Sequence, residues 1–98
     1  IMRLYGTAKA IHPRDTEWHD LCGLFPPMAG SRQIFDMRVE RIQESCGSGV
    51  PIMAFKEGRG EVELEPFFAK NGPEWVEKFW RKKNAVSIDG KPTGLFAD

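Results

Sequence analysis

The sequence predicts an α+β fold, with about three antiparallel strands, one helix after the first strand, and further helices toward the C-terminus. Three observations carry this. Residues 1–11 and 33–45 alternate apolar and polar side chains with the period of two that a half-buried strand requires. Residues 18–25 and 73–84 change to helical spacing. Clusters of proline and glycine between these stretches stop one element before the next begins.

In the first strand, "IMRLYGTAKAI", the even positions Met2, Leu4, Gly6, Ala8 and Ala10 are apolar or small, while Arg3, Thr7 and Lys9 are polar. The small inward side chains suit a crowded interior or the close approach of another backbone. In "HPRDTEWHDLCGLFPP", Trp18, Leu21, Cys22 and Phe25 form one helical stripe. Asp15 or Thr16 is positioned to cap that helix and Pro26-Pro27 to end it. A loop, "PPMAGS", leads to the second strand, where Phe35, Met37 and Val39 share one face and Asp36, Arg38 and Glu40 the other. Ile42 falls out of phase, and a bulge near Glu40 and Arg41 would restore it. A turn at Gly47–Gly49 then leads into Val50, Ile52, Met53, Ala54 and Phe55, which read as a third, largely buried strand in a hairpin with the second. "KEGRGEVELE" reads as a polar loop, and Pro66 to Lys70 as a short helix. "NGPEWVEKFWRKKN" is a longer helix with Pro73 in its first turn and Trp75, Val76, Phe79 and Trp80 as its apolar stripe. Asp89-Gly90 marks a turn in the tail.

Composition narrows the function classes. Ninety-eight residues are enough for a single domain spanning 1–98; a chain of that size buries roughly 60 to 70% of its unfolded surface. Lysine plus arginine equals aspartate plus glutamate at 14 each, so no global charge draws the molecule to nucleic acid or an anionic membrane. No apolar run nears the roughly 18 residues of a spanning helix. With two cysteines and no secretory pattern, the expectation is a soluble, cytoplasmic protein with reduced thiols. The strand pattern is already running at Ile1, which is not an initiator methionine, so a fragment or a processed chain is expected.

Several residues invite chemistry, each with a plainer explanation beside it. Gly47-Ser48-Gly49 has the composition of an anion nest but lacks the lysine and following helix of a phosphate loop, so a turn accounts for it. Cys46 has no neighbouring His or Lys in sequence to activate it and reads as a structural thiol at a strand end. His12, His19, Cys22 and Cys46 supply only one short-spaced pair, too few for a structural zinc site, so no metal is expected. Trp75 and Trp80 read as core packing, "WRKK" as a solvated helix end and Asp89 as a turn residue.

Three blocks, "RLYGTAKAIHP", "GSRQIFDMRVERIQESCGSGVP" and "KNAVSIDGKPTGL", in this order and spacing, resemble the C-terminal half of the FMN-binding split-barrel family related to pyridoxamine 5'-phosphate oxidase. The likeness is weakest from Lys56 to Asn71, and Ser48 departs from the aromatic that more often stands at its position. The resemblance implies an antiparallel split barrel that dimerises and holds FMN between protomers. It implies an FMN-dependent oxidoreductase acting on a small molecule, with Ser31, Arg32 and Gln33 near the ligand and Gln43, Ser45 and Cys46 on the next strand. The family grips the FMN phosphate largely from N-terminal strands that this sequence does not contain. A non-catalytic dimeric binding module, without flavin, is therefore the alternative. On either reading, strands with open edges demand a partner, either a second copy or an N-terminal half.

Overall fold

A computed structural model of the chain describes residues 1–97. It divides into two compact units, one made of Ile1–Phe25 with Arg32–Lys56, the other of Pro26–Ser31 with Glu57–Asp98.

The first unit is built on two long antiparallel strands, β1 (Met2–Ile11) and β2 (Ile34–Glu44). Their register runs from Met2 opposite Glu44 to Ile11 opposite Ile34. It shifts once, between Tyr5, which faces Arg41, and Gly6, which faces Val39. Glu40 is thus the extra residue of a bulge, where the broken alternation of β2 required one. Because directly opposed residues share a face, the ribbon has two distinct sides. One carries Met2, Leu4, Gly6, Ala8 and Ala10 against Glu44, Ile42, Val39, Met37 and Phe35, apolar but for Glu44 at its end; the other carries Arg3, Tyr5, Thr7 and Lys9 against Gln43, Arg41, Arg38 and Asp36. The apolar side is uncovered: Phe35 is 66% exposed, Met2 62% and Ile42 61%.

Helix α1 (Trp18–Cys22) is shorter than the stripe predicted, ending at Gly23 so that Phe25 lies beyond it and exposed. Its N-cap is Glu17, with no side-chain cap bond. Asp15, expected as a cap, is engaged instead by the His12 main-chain N–H at 2.8 Å, which closes the "HPRD" turn. Lys9 on β1 reaches Glu17 at 2.6 Å. The hydrogen bond from Lys9 pulls the Glu17 carboxyl down to about 2 and raises Lys9 in return.

Two strands are present among the described residues where about three were expected. Residues 51–58, which contain most of the predicted third strand, have no regular structure, and Ile52, Met53 and Phe55 are exposed. Strand pairing is driven by packing of one face, and nothing lies over this apolar run to reward it. Pro51 also removes a ladder donor. Accordingly β2 pairs with β1, and no hairpin joins it to residues 50–55.

The second unit is helical. The segment expected as a polar loop forms a π-helical turn, Gly60–Leu64, that runs directly into α2 (Glu65–Asn71). An Arg59–Glu63 ion pair at 2.8 Å, one helical turn apart, supports it. Gly72, at φ 80°, breaks the path, and α3 (Pro73–Asn84) starts with proline in its first turn as the sequence requires. The stripe of α3 faces inward: Val76 is buried, and Trp75, Phe79 and Trp80 are half-buried. Trp75 stacks on Phe79 at 5.1 Å, Phe67 of α2 meets Trp75 edge-on at 5.3 Å, and Phe68 meets Phe79 at 6.2 Å. In the tail, Val86 bridges Pro92 around a turn with Gly90 at φ 81°. The Ser87 hydroxyl donates to Asp89, which lowers that carboxyl, with Lys91 adding to the effect.

Among the described residues only Ile11, in the first unit, and Val76 and Leu95, in the second, are buried apolar side chains. The accessible surface is 8461 Å² for 11.1 kDa. Two separate compact bodies of half that mass would expose about 3,400 Å² each, roughly 6,800 Å² together. The chain therefore exposes about 1,700 Å² more than even that generous reference.

Candidate functional site

The residues singled out from sequence fall into separate groups. At the start of β2, Arg32 Nε donates to Gln33 Oε1 at 3.3 Å, and Gln33 Nε2 lies 3.3 Å from His12 Nε2. His12 is buried, and its Nδ1 is 3.5 Å from Asp15 Oδ2. Asp15, His12, Gln33 and Arg32 thus form one continuous polar chain where β1 ends and β2 begins. His12 and Asp15 entered the sequence reading only as a weak zinc ligand and a helix cap. Their link to Gln33 is a product of the strand register, which brings the ends of β1 and β2 together across 21 residues.

At the other end of the ribbon, on its polar side, Arg3 donates to the Ser45 hydroxyl at 3.3 Å and the Tyr5 hydroxyl donates to Gln43 Oε1 at 3.1 Å. The Arg41 guanidinium lies 4.4 Å above the Tyr5 ring. Ser45 is fixed further by exchanging main-chain bonds with Ile1, each 2.8 Å. Arg3, Tyr5 and Arg41 were not picked out from sequence. The alternation of β1 and the bulge in β2 are the signals that place them beside Gln43.

Cys46 follows β2 just before a turn, exposed and outside any disulfide. Its sulfur lies 2.8 Å from the Ser48 hydroxyl, and that hydrogen bond lowers the thiol below its ordinary value. Ser31 belongs to the other unit, where its hydroxyl donates to Met28 O at 2.8 Å in a local turn. Two surface hollows, of about 410 Å³ beside Thr7, Lys9, Asp36, Arg38 and Glu40 and about 550 Å³ beside Arg59, Glu63, Leu64 and Phe67, touch none of the six predicted residues.

This arrangement bears on the flavin. Gln33 and Gln43 are ten residues apart along an extended strand, so by the strand rise they lie on the order of 30 Å from each other. A single mononucleotide does not reach across that span. Within one chain, therefore, Gln33 and Gln43 do not touch the same mononucleotide. Among the described residues there is also no group of three or more His, Cys, Asp or Glu that could hold a metal ion, and no helix long and apolar enough to cross a membrane. Comparison of the chain with protein-family models, curated proteins and solved structures found no match.

Proposed function

We propose that this chain contributes one ribbon to a split barrel of the pyridoxamine 5'-phosphate oxidase-like group. A second copy, or a further half of the same fold, completes it. FMN-dependent oxidoreduction of a small molecule then takes place in the cleft they build together. The observation that supports this is the uncovered apolar side of the ribbon, from Met2 and Leu4 to Met37 and Phe35. The excess surface of about 1,700 Å² is about twice the roughly 800 Å² that each partner contributes to a standard interface. Once that side is covered, residues 50–55 gain a surface to pack on and join as the third strand. The flavin itself comes from the sequence resemblance, an argument by fold analogy.

A second reading, a dimeric binding module without flavin, is favoured by one observation: the six predicted ligand residues of a chain sit in groups at opposite ends of β2 and in a separate unit. Absorbance between about 350 and 500 nm decides between them, because bound isoalloxazine absorbs there and its band shifts on leaving water. The enzyme reading expects FMN added to the assembled protein to co-elute with it and show a shifted band. Free FMN separating fully from the protein supports the binding module instead.

A further inference from the structure

The polar chain Asp15–His12–Gln33–Arg32 has a property that does not depend on flavin. A neutral imidazole has one donor and one acceptor nitrogen, whereas an imidazolium has two donors. With Gln33 Oε1 accepting from Arg32 Nε, its amide N–H is the donor to Nε2 of a neutral His12, which puts the ring hydrogen on Nδ1, 3.5 Å from Asp15 Oδ2. When His12 takes up a proton, Nε2–H can no longer receive a donor. The Gln33 amide must turn over so that Oε1 accepts from Nε2–H. Its NH2 group then faces Arg32, and a donor opposes a donor. Among the described residues, Asp15 from its own turn and Gln33 from the segment before β2 meet the His12 ring, with Arg32 behind Gln33.

We propose that Gln33 is a two-position relay through which protonation of His12 releases Arg32 to bind an oxyanion, a carboxylate or a phosphate group, at the end of the ribbon. The balance is this: one proton enters from solvent, the hydrogen bonds Gln33 Nε2–H to His12 Nε2 and Arg32 Nε–H to Gln33 Oε1 are lost, and one from His12 Nε2–H to Gln33 Oε1 is gained. The freed guanidinium presents its planar fork to the anion, and the new charge on His12 adds to the attraction.

The test uses nitrogen-15 NMR of the full chain between pH 5 and 8, the range in which imidazoles titrate. The chain has only two histidines, and His19 is exposed, which makes it an internal control. The expected result is that the Arg32 Nε–H signal is protected from solvent exchange while His12 is neutral and loses protection with the same midpoint as the His12 ring signals. Sulfate, whose charge is constant across this range, should bind about fivefold more tightly at the acid end, the equivalent of one hydrogen bond. In Gln33→Met, which keeps the volume and removes the relay, Arg32 Nε–H should exchange freely at every pH. An Arg32 signal that ignores the His12 titration, or one that follows it equally in Gln33→Met, overturns the proposal.

Discussion

Gly6→Ala is expected to destroy the β1–β2 ribbon. A methyl group at Gly6 would lie 1.9 Å from the main-chain oxygen of Arg38 and 3.2 Å from Val39 Cα. The obstacle is backbone, held in place by the ladder on one side of the Glu40 bulge, so no side-chain rotation relieves it. The loss should exceed about 3 kcal/mol, more than ordinary overpacking costs. Small domains have only about 5 to 15 kcal/mol in total, and this unit buries little apolar surface. Far-UV circular dichroism and thermal melting should show loss of the strand signal. Gly47→Ala is the control: nothing lies within 4 Å of its added methyl and its φ is not positive. It should change stability by no more than about 0.5 kcal/mol. A Gly6→Ala protein that melts like the parent would mean that the close approach at the bulge is not real.

Phe79→Ala is expected to have a comparable effect on the helical unit. Phe79 is the junction of its aromatic cluster, stacked on Trp75 and edge-on to Phe68. Truncating a buried phenylalanine costs about 3 to 5 kcal/mol. Phe79 is half-buried, which reduces the burial part of that figure, but each aromatic pair lost adds about 0.5 to 1.5 kcal/mol. With Val76 and Leu95 as its buried apolar residues, the unit has little else to hold α2 against α3. Tryptophan fluorescence should report Trp75 moving into water, and the helical signal at 222 nm should fall. Parent-like emission and melting would show that α2 and α3 are held by something other than this cluster.

The elements most legible in the sequence were those whose signal is local. The alternation of β1 needs no partner to be read, and the phase break at Ile42 located the bulge to within a residue. Proline at 73 and the Trp75, Val76, Phe79, Trp80 spacing defined α3. What failed depended on what lies over an element. Val50–Phe55 has strand composition, yet composition sets only a preference for a covered, pleated surface, and here there is no cover. The helix after β1 ended early because Gly23 follows Cys22, although Phe25 continues the stripe. The π-helical turn at Gly60–Leu64 was hidden because Gly58 and Gly60, set among Arg59, Glu61 and Glu63, have loop composition, while the Arg59–Glu63 pair that holds it becomes apparent only once a helix is assumed. The family resemblance is what singles out Arg32 and Gln33 as expected ligand residues. His12 and Asp15 were not read as their partners, because a contact across a strand pair depends on register and not on proximity in sequence.

The uncovered side of the ribbon is the point on which the functional account turns, and sedimentation velocity of the 98-residue chain at about 10 to 100 μM tests it most directly. The account predicts a dimer or larger species that falls back toward 11.1 kDa when Met37, in the middle of the apolar side, is replaced by lysine. A cooperatively folded monomer across that range, with Met2, Ile42 and Phe35 left in water, would contradict it.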